Sequence, residues 1–207
     1  MPESSETGGL RARRRDATRL EIHETAVELF ERNGFDETTV DEIAAAAGVS
    51  PRTFFRYFPT KEECVLFDRF GFDQALDDHL AGTDPDALSL ADIEGVYRQL
   101  LEGFGDRSDD VSAHFMRVQK LVLATPTLSR AALGRYADKS RRRPEALGDR
   151  SSARTRGQLR MILEIANLEV QCAFEEWVEI NERPGSSGTP RPLVDVYDDV
   201  CRRMREL

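Results

Sequence analysis

VSPRTFFRYFPTKEE, residues 49–63, crowds four aromatic rings into five consecutive positions and flanks them with basic side chains. On a helix, which turns by about 100° per residue, Phe54 and Phe58 share one side, and Arg52 and Arg56 share the opposite side. The rings can therefore be buried while the guanidinium groups stay in water. The stretch predicts a short helix with an apolar inner face and a basic outer face.

The residues before this helix predict a second short helix and a tight turn. In TTVDEIAAAAG, Thr39 stands at an N-cap position, Glu42 completes a capping box, and Gly48 can end the helix. Ser50 then caps the next helix, with Pro51 at the first helical position, where a missing N–H has no cost. Two short helices joined by a glycine turn, the second carrying arginines, are typical of the helix-turn-helix that places one helix in the major groove of DNA.

The rest of the chain favours an all-α fold, because apolar residues recur at helical spacing and no alternating strand pattern appears. The helices expected after the turn lie near residues 61–80, 89–104, 108–123, 126–147, 152–182 and 191–205. The Gly/Ser-rich start and the run LRARRR predict a disordered basic arm over residues 1–15. After this arm we expect a helix-turn-helix domain over residues 16–66 and a larger helical domain over residues 67–207.

Composition argues against several other classes of protein. The 207 residues carry a formal net charge of -9, and no large part of the chain is basic, so a DNA-binding surface would have to be narrow. Neither a signal peptide nor a membrane span is predicted. Cys64, Cys172 and Cys201 form no CxxC pair, which argues against a disulfide framework or a zinc site and fits a reducing cytosol. We expect no metal site, no cofactor and no membrane partner.

The segment TTVDEIAAAAGVSPRTFFRYFPTKEE resembles the DNA-binding signature of the TetR family of bacterial repressors, and the resemblance extends from about residue 17 to residue 66. It rests on order and spacing: TTVDEIA, then AGVS, then an aromatic-rich helix ending in Phe, then Thr-Lys-Glu. The resemblance implies a recognition helix at residues 51–57 with phosphate contacts on both flanks. It also implies that the domain over residues 67–207 binds a ligand and forms a dimer.

The resemblance assigns DNA-binding roles to individual residues. It implies phosphate contacts for Thr39, Tyr57 and Lys61, and base contacts for residues 51–53. Phe55 departs from the tyrosine that is usual in the family, so a phosphate hydrogen bond is lost there, and its ring could instead touch a thymine methyl group. The DNA-binding residues expected on these grounds are Thr39, Ser50, Pro51, Arg52, Thr53, Phe55, Arg56, Tyr57 and Lys61.

Wide apolar stripes on the last two helices predict core packing together with a partner contact. The residues expected at a homodimer interface are Ile162, Ala166, Val170, Phe174, Trp177, Tyr197, Val200 and Met204. The resemblance places a ligand cavity among the middle helices. The residues expected to line it are Phe104, Phe115, Met116, Val122, Tyr136, Met161 and Ile165.

RTFFRYFPTKEE, LATPTLSRAAL and the tryptophan late in the long helix together resemble the branch of the family that senses acyl-CoA-like ligands. The resemblance implies a small hydrophobic or fatty acyl effector. Basic residues outnumber acidic ones between Arg135 and Arg156, a pattern that fits either a dock for an anionic head group or a solvated surface.

These observations predict a ligand-responsive transcriptional repressor that acts in the cytoplasm, at the nucleoid. Its partners would be a double-stranded DNA operator with pseudo-palindromic half-sites, a small-molecule effector, and a second copy of the chain. A protein-interaction module that has kept the fold and lost DNA binding is an alternative. An enzyme is another, but His23, His79 and His114 lie in separate helices with no catalytic motif, so we expect no catalytic residue. Whether the arginines of the N-terminal arm touch DNA stays open.

Overall fold

Every regular element is an α-helix wherever the computed structural model describes the chain, namely residues 4–105, 109–146, 152–182 and 191–207. The predicted all-α fold is therefore confirmed. The chain divides into two compact units, Met1–Arg69 and Phe70–Leu207. The boundary expected from the sequence, at residues 66 and 67, lies just before this division.

The helices of the first unit are α1 (Ser4–Asn33), α2 (Val40–Ala46), α3 (Pro51–Tyr57) and α4 (Lys61–Val65). Those of the second unit are α5 (Phe72–Gly82), α6 (Leu90–Gly105), α7 (Asp109–Ala124), α8 (Pro126–Ala146), α9 (Ala153–Glu182) and α10 (Leu193–Met204). From α6 onward the helix ends agree closely with those expected from the apolar periodicity.

Two helix boundaries differ from expectation. Helix α1 begins at Ser4, where the sequence predicts a disordered arm as far as residue 15. Arginine, alanine and leucine are strong helix formers, and lengthening an existing helix needs no new nucleus. The single helix expected over residues 61–80 is in fact two helices, α4 and α5. Gly71 stands between them at φ +77°, a left-handed conformation that a right-handed helix does not contain.

The core of the first unit forms where α1, α2 and α3 meet. Its largest fully buried side chains are Ile22, Phe30, Ile43, Phe54 and Phe58. Gly48, at φ +66°, lets the chain reverse between α2 and α3, and the N–H of Val49 donates to the carbonyl oxygen of Ala44 at 2.9 Å. The turn therefore fixes α3 against α2.

The core of the second unit is organised around α9, which packs against α6, α7, α8 and α10. A buried polar chain joins three of these helices. The Tyr97 hydroxyl donates to Oδ1 of Asn167 at 2.9 Å, and Nδ2 of Asn167 donates to Oγ of Ser140 at 2.9 Å. Buried polar groups that are satisfied in this way fix one arrangement of the helices. No helix in the described part of the chain has the length and apolar character that crossing a membrane requires.

Candidate nucleic-acid interface

Helix α3 has the two faces that its sequence predicts. Phe54 is 0% exposed and Phe58 is 1% exposed, whereas the neighbouring Phe55 is 54% exposed. Arg52 and Arg56 are exposed on the outer side. The outer face therefore offers two cations and one aromatic ring from a helix whose inner face is anchored in the core.

The start of α3 is held by a side-chain cap. The N–H of Thr53 donates to Oγ of Ser50 at 3.2 Å, and the two hydroxyl oxygens lie 3.0 Å apart. Pro51 occupies the first turn of the helix. The cap therefore holds residues 51–53 in a defined position. In a recognition helix, the first turn is the part that meets base edges.

An aromatic cluster supports the end of α3. The rings of Phe58 and Phe67 meet edge to face at 5.8 Å, and the guanidinium carbon of Arg19 lies 4.2 Å from the centre of the Phe67 ring. Nδ1 of His23 lies 2.8 Å from the carbonyl oxygen of Cys64, which joins α1 to α4. His23, at 2% exposure, therefore has a structural role in this unit.

The outward cations of α3 are available to an anionic partner. Neither Arg52 nor Arg56 forms an ion pair with any carboxylate in the described ranges. The guanidinium carbon of Arg56 lies 5.1 Å from the centre of the half-buried Tyr57 ring, which orients it without neutralising it. Unpaired guanidinium groups on a fixed helix are the groups that bind phosphates and guanine edges.

Thr39 caps α2 through a closed capping box. Its N–H donates to Oε2 of Glu42 at 2.8 Å, its hydroxyl donates to the same oxygen at 2.9 Å, and the N–H of Glu42 donates to Thr39 Oγ1 at 3.3 Å. The backbone N–H and then the hydroxyl of Thr39 lower the pKa of Glu42 below its usual value. The exposed Thr39 hydroxyl is thus already bonded in the free protein.

Lys61 points into the connection between α1 and α2. Its ammonium group donates to the carbonyl oxygens of Phe35 at 2.8 Å, Asp36 at 3.4 Å and Thr38 at 3.3 Å. These three bonds use the three donors that an ammonium group has. Lys61 therefore holds the segment that leads into Thr39, a role that its sequence position alone does not indicate.

The structure does not bring all of the expected pocket residues together. Phe115 is buried within an aromatic cluster of the second unit, and Met116, Val122 and Tyr136 are half-buried. The ring partners of Phe115 in that cluster include Phe70, Phe72, Phe174 and Trp177. Met161 is 65% exposed and Ile165 is 38% exposed, so both lie on the surface. The side chain of Phe104 lies outside the described residues.

Most of the expected dimer residues lie inside the protomer. Those that are buried in its core are Ala166, Val170, Phe174, Trp177, Tyr197 and Val200. Ile162 and Met204 are half-buried at its margin. The outward apolar stripe of α9 is instead Met161, Ile165 and Leu168, of which Leu168 is 48% exposed. A helix with apolar residues on several faces does not reveal in its sequence which face the core takes, and this explains the difference.

The basic residues of α8 are largely paired with acids. Arg135, Lys139 and Arg143 all contact the carboxylate of Asp73 in α5, with Arg135 and Arg143 at 3.0 Å, and Arg143 also contacts Asp77 at 2.6 Å. Burial raises the pKa of Asp73, but Lys139 and Arg135 more than reverse this and hold it at about 2. An anionic head group at this surface would have to compete with a resident carboxylate.

A two-helix corner with a capped, outward-facing second helix defines the class of helix-turn-helix DNA-binding proteins. The comparisons with known proteins narrow the class. The family model described as bacterial regulatory proteins, tetR family, matches residues 22–66. Over residues 22–66, the chain has the DNA-binding domain of the TetR family of transcriptional regulators.

Two relatives of the chain are named as transcriptional regulators. The chain is 38% identical over 127 residues to the HTH-type transcriptional regulator TcmR of Streptomyces glaucescens, covering 58% of this chain and 54% of that protein. It is 31% identical over 137 residues to MftR of Mycobacterium tuberculosis, described as a putative mycofactocin biosynthesis transcriptional regulator, covering 66% of this chain and 65% of that protein. The chain thus spans between about half and two-thirds of the length of these relatives. Their names agree with the prediction of a protein that is not an enzyme.

A solved structure is also similar. It is that of Thermus thermophilus FadR, described as a TetR family transcriptional repressor in complex with lauroyl-CoA. The identity is 22%, the TM-score is 0.41, and the match covers 91% of this chain and 93% of that chain. At this TM-score the likeness says nothing about a ligand of the present protein.

Proposed function

We propose that this chain is a ligand-responsive repressor that binds a pseudo-palindromic DNA operator as a homodimer, in the cytoplasm at the nucleoid. One observation carries the proposal: α3 presents exposed, unpaired Arg52 and Arg56 and an exposed Phe55 from a helix anchored by Phe54 and Phe58. A dimer would place two such helices about 34–36 Å apart, one in each half-site.

The roles on this face divide between bases and phosphates. Arg52, at the second position of α3, is in the turn that reaches base edges, where an arginine reads guanine through O6 and N7. Arg56 lies one turn further on, close to Tyr57, and is assigned to a phosphate. Phe55 is assigned to a thymine methyl group, since it has no hydroxyl to offer a phosphate.

Fluorescence anisotropy tests the DNA-binding proposal. The full chain is titrated onto DNA from upstream of its own gene and onto a scrambled duplex, at two salt concentrations. Tight, selective and salt-sensitive binding is expected. Arg52→Ala should cost about 1–3 kcal/mol and relax the preference at one base pair. Arg142→Ala, which removes an exposed arginine of α8, is the matched control and should leave the operator preference unchanged.

Unchanged operator preference in Arg52→Ala contradicts the base-reading role. Equal, weak binding to both duplexes contradicts recognition of that operator, and a genome-wide pull-down then decides between another operator and the alternative of a protein-interaction module. The exposed ring of Phe55 is the observation that favours the alternative.

The homodimer is proposed to form through the outward stripe of α9. Met161, Ile165 and Leu168 follow one another at helical spacing and are exposed. Three large apolar side chains in one exposed row are more than scattered surface residues and are typical of an association surface. A second copy would pair this stripe with itself across a two-fold axis, as isologous dimers do.

Light scattering coupled to gel filtration tests the dimer. Leu168→Glu places a charge within the stripe and should yield a monomer that binds operator DNA more weakly. Leu123→Glu changes a leucine of α7 that is 40% exposed, and should remain dimeric. A dimeric Leu168→Glu protein would exclude α9 as the interface.

The effector is proposed to be a small hydrophobic compound, with fatty acyl-CoA as the first candidate. Support comes from the aromatic cluster around Phe115 in the second unit and from the motifs quoted above. The effector would favour a dimer whose recognition helices no longer match the operator, and it can do so only if its affinity for that state is higher. Calorimetry with a long-chain acyl-CoA, the matching fatty acid and free coenzyme A tests this. The absence of heat with all three would rule out the acyl effector and leave the DNA-binding proposal intact.

A further inference from the structure

Three side chains that can bind metal meet inside the second unit. Glu94 comes from α6, Glu169 from α9 and Cys201 from α10, and their ligand atoms all lie within 4.8 Å of one another. Glu94 is 7% exposed, Glu169 is 0% exposed and Cys201 is 4% exposed. They are far apart in the sequence and share no motif, so their spacing does not predict a metal site.

The cluster contains buried polar atoms without hydrogen-bond partners. They are both carboxylate oxygens of Glu169 and Oε1 of Glu94. Arg205 binds the other oxygen of Glu94. Leaving a carboxylate buried and unpaired costs several kcal/mol by an order-of-magnitude estimate. These atoms are therefore expected to have a further partner.

The charges of the cluster restrict the nature of that partner. With both carboxylates ionised, the guanidinium group of Arg205 compensates only one of them. Either a proton or a cation has to compensate the other. A divalent cation bound to both carboxylates and to the Cys201 thiolate, next to Arg205, brings the total charge of the cluster to zero.

We propose that Glu94, Glu169 and Cys201 form a zinc site within the second unit. Zinc accepts both carboxylate oxygen and thiolate sulfur, whereas magnesium and calcium select oxygen ligands. Three protein ligands leave one position of a tetrahedral site open. This inference goes beyond the proposed repressor function and does not depend on it.

Zinc binding must release protons from the ligands. Zinc replaces the proton of the Cys201 thiol and any proton held by Glu169, and these protons pass to solvent. Burial first, and then Glu94, raise the pKa of Glu169 to about 7, against the effect of Arg205. Burial also raises the pKa of Cys201 to about 12, although a hydrogen bond with the Tyr197 hydroxyl lowers it. Affinity should therefore increase with pH.

Isothermal titration calorimetry with zinc chloride tests the site on the full chain after EDTA treatment and dialysis. One zinc per protomer is expected, with a heat that depends on the ionisation enthalpy of the buffer because protons are released. Removing a residue that hydrogen-bonds to a metal ligand lowers metal affinity by about 10–100-fold. Cys201→Ser and Glu169→Gln each remove a ligand itself, so each should lower zinc affinity by at least that factor. Cys172→Ser, which changes a half-buried thiol of α9 outside the cluster, is the matched control.

Cobalt provides a spectroscopic readout of thiolate ligation. Cobalt bound in the wild-type chain and in Cys172→Ser should show the charge-transfer absorption of a cobalt thiolate, and Cys201→Ser should lack it. Wild-type zinc binding no tighter than that of Cys201→Ser, or absence of the cobalt band from the wild type, overturns the proposal. Circular dichroism of each metal-free variant shows whether it folds; if Cys201→Ser does not, the wild-type cobalt band decides.

Discussion

The ammonium nitrogen of Lys61 lies 2.8 Å from the carbonyl oxygen of Phe35 and 4.4 Å from the centre of the ring of the same residue. With its further bonds to the carbonyls of Asp36 and Thr38, Lys61 ties the first turn of α4 to the segment between α1 and α2. Thr39, the N-cap of α2, follows this segment directly. By sequence resemblance Lys61 is expected to bind a phosphate, but in the free protein it positions the segment that leads into Thr39.

Lys61→Ala should weaken binding to all DNA sequences about equally and also lower the Tm of the protein. The slope of log K against log salt should not change, because a residue that acts through the Thr39 segment displaces no counterion itself. Arg56→Ala is the matched comparison: it should leave the Tm unchanged and reduce the salt slope by about 1. Anisotropy across a salt series and a thermal melt provide both quantities. A reduced slope with an unchanged Tm in Lys61→Ala would show a direct phosphate contact instead.

Phe54 and Phe55 are adjacent but should respond differently to truncation. Phe54→Ala, at a position that is 0% exposed, should lower the free energy of unfolding by about 3–5 kcal/mol. Phe55→Ala should change it by no more than about 0.5 kcal/mol, because the ring is 54% exposed. Urea unfolding measures both.

DNA in which thymine is replaced by uracil tests the proposed contact of Phe55 with a thymine methyl group. The wild-type protein should lose affinity for the uracil-containing operator, and Phe55→Ala should bind the two operators equally. If the wild type is indifferent to the methyl group, Phe55 does not read it.

Asp73 is the shared partner of three cations, so its loss should be costly. Asp73→Asn should destabilise the protein by about 1.5–3 kcal/mol at neutral pH, the range for hydrogen bonds to charged groups. Asp138→Asn, which affects exposed pairs with Arg141 and Arg142, should have little effect. Urea unfolding of the two variants measures the difference, and equal, small changes would show that the Asp73 cluster adds no stability.

The pKa of Asp73 also predicts a pH dependence. Its folded-state pKa of about 2 is below the ordinary value of 3.8. As the pH falls from 3.8 towards 2, the unfolded chain takes up this proton before the folded chain does, so the stabilisation present above 3.8 is lost through that window. Asp73→Asn should show a correspondingly flatter loss of stability in acid.

Glu169 should produce the opposite pH dependence in protein kept free of metal by EDTA. Its pKa is raised from 4.5 to about 7, so between these values the folded chain keeps a proton that the unfolded chain has lost. Stability should therefore fall as the pH rises from 4.5 to 7. The ionisable groups around it are Glu94, Cys201, Tyr197 and Arg205.

Glu169→Gln should remove this decline and be more stable than the wild type above pH 7, because it has no charge to bury. Glu179→Gln, at an exposed position of the same helix, should keep the wild-type profile. Urea unfolding at a series of pH values compares the three proteins. An identical decline in Glu169→Gln would assign the effect to another group.

The sequence predicts local structure well where short-range chemistry decides it. The caps at Thr39 and Ser50 fix where two helices begin, and the spacing of Phe54 and Phe58 fixes the inner face of α3. In each case the deciding atoms lie within one helical turn of one another, so sequence spacing carries the information.

Features that depend on distant packing escape the sequence. The apolar pattern continues across Gly71, so the break between α4 and α5 is not visible in it. The apolar residues of α9 cover more than one face, and only the folded unit shows that Val170 lies inside and Leu168 outside. Glu94 and Glu169 come together because α6 and α9 pack, a contact that neither helix signals on its own.

The two-faced construction of α3 has an evolutionary consequence. The positions that hold the helix in place, Phe54, Phe58 and the Ser50 cap, are different from the exposed positions 52, 55 and 56. After a gene duplication, the outward set can therefore drift towards a new operator without passing through poorly folded intermediates. For the same reason, a combinatorial library confined to those three codons would sample new DNA preferences on a scaffold of nearly constant stability.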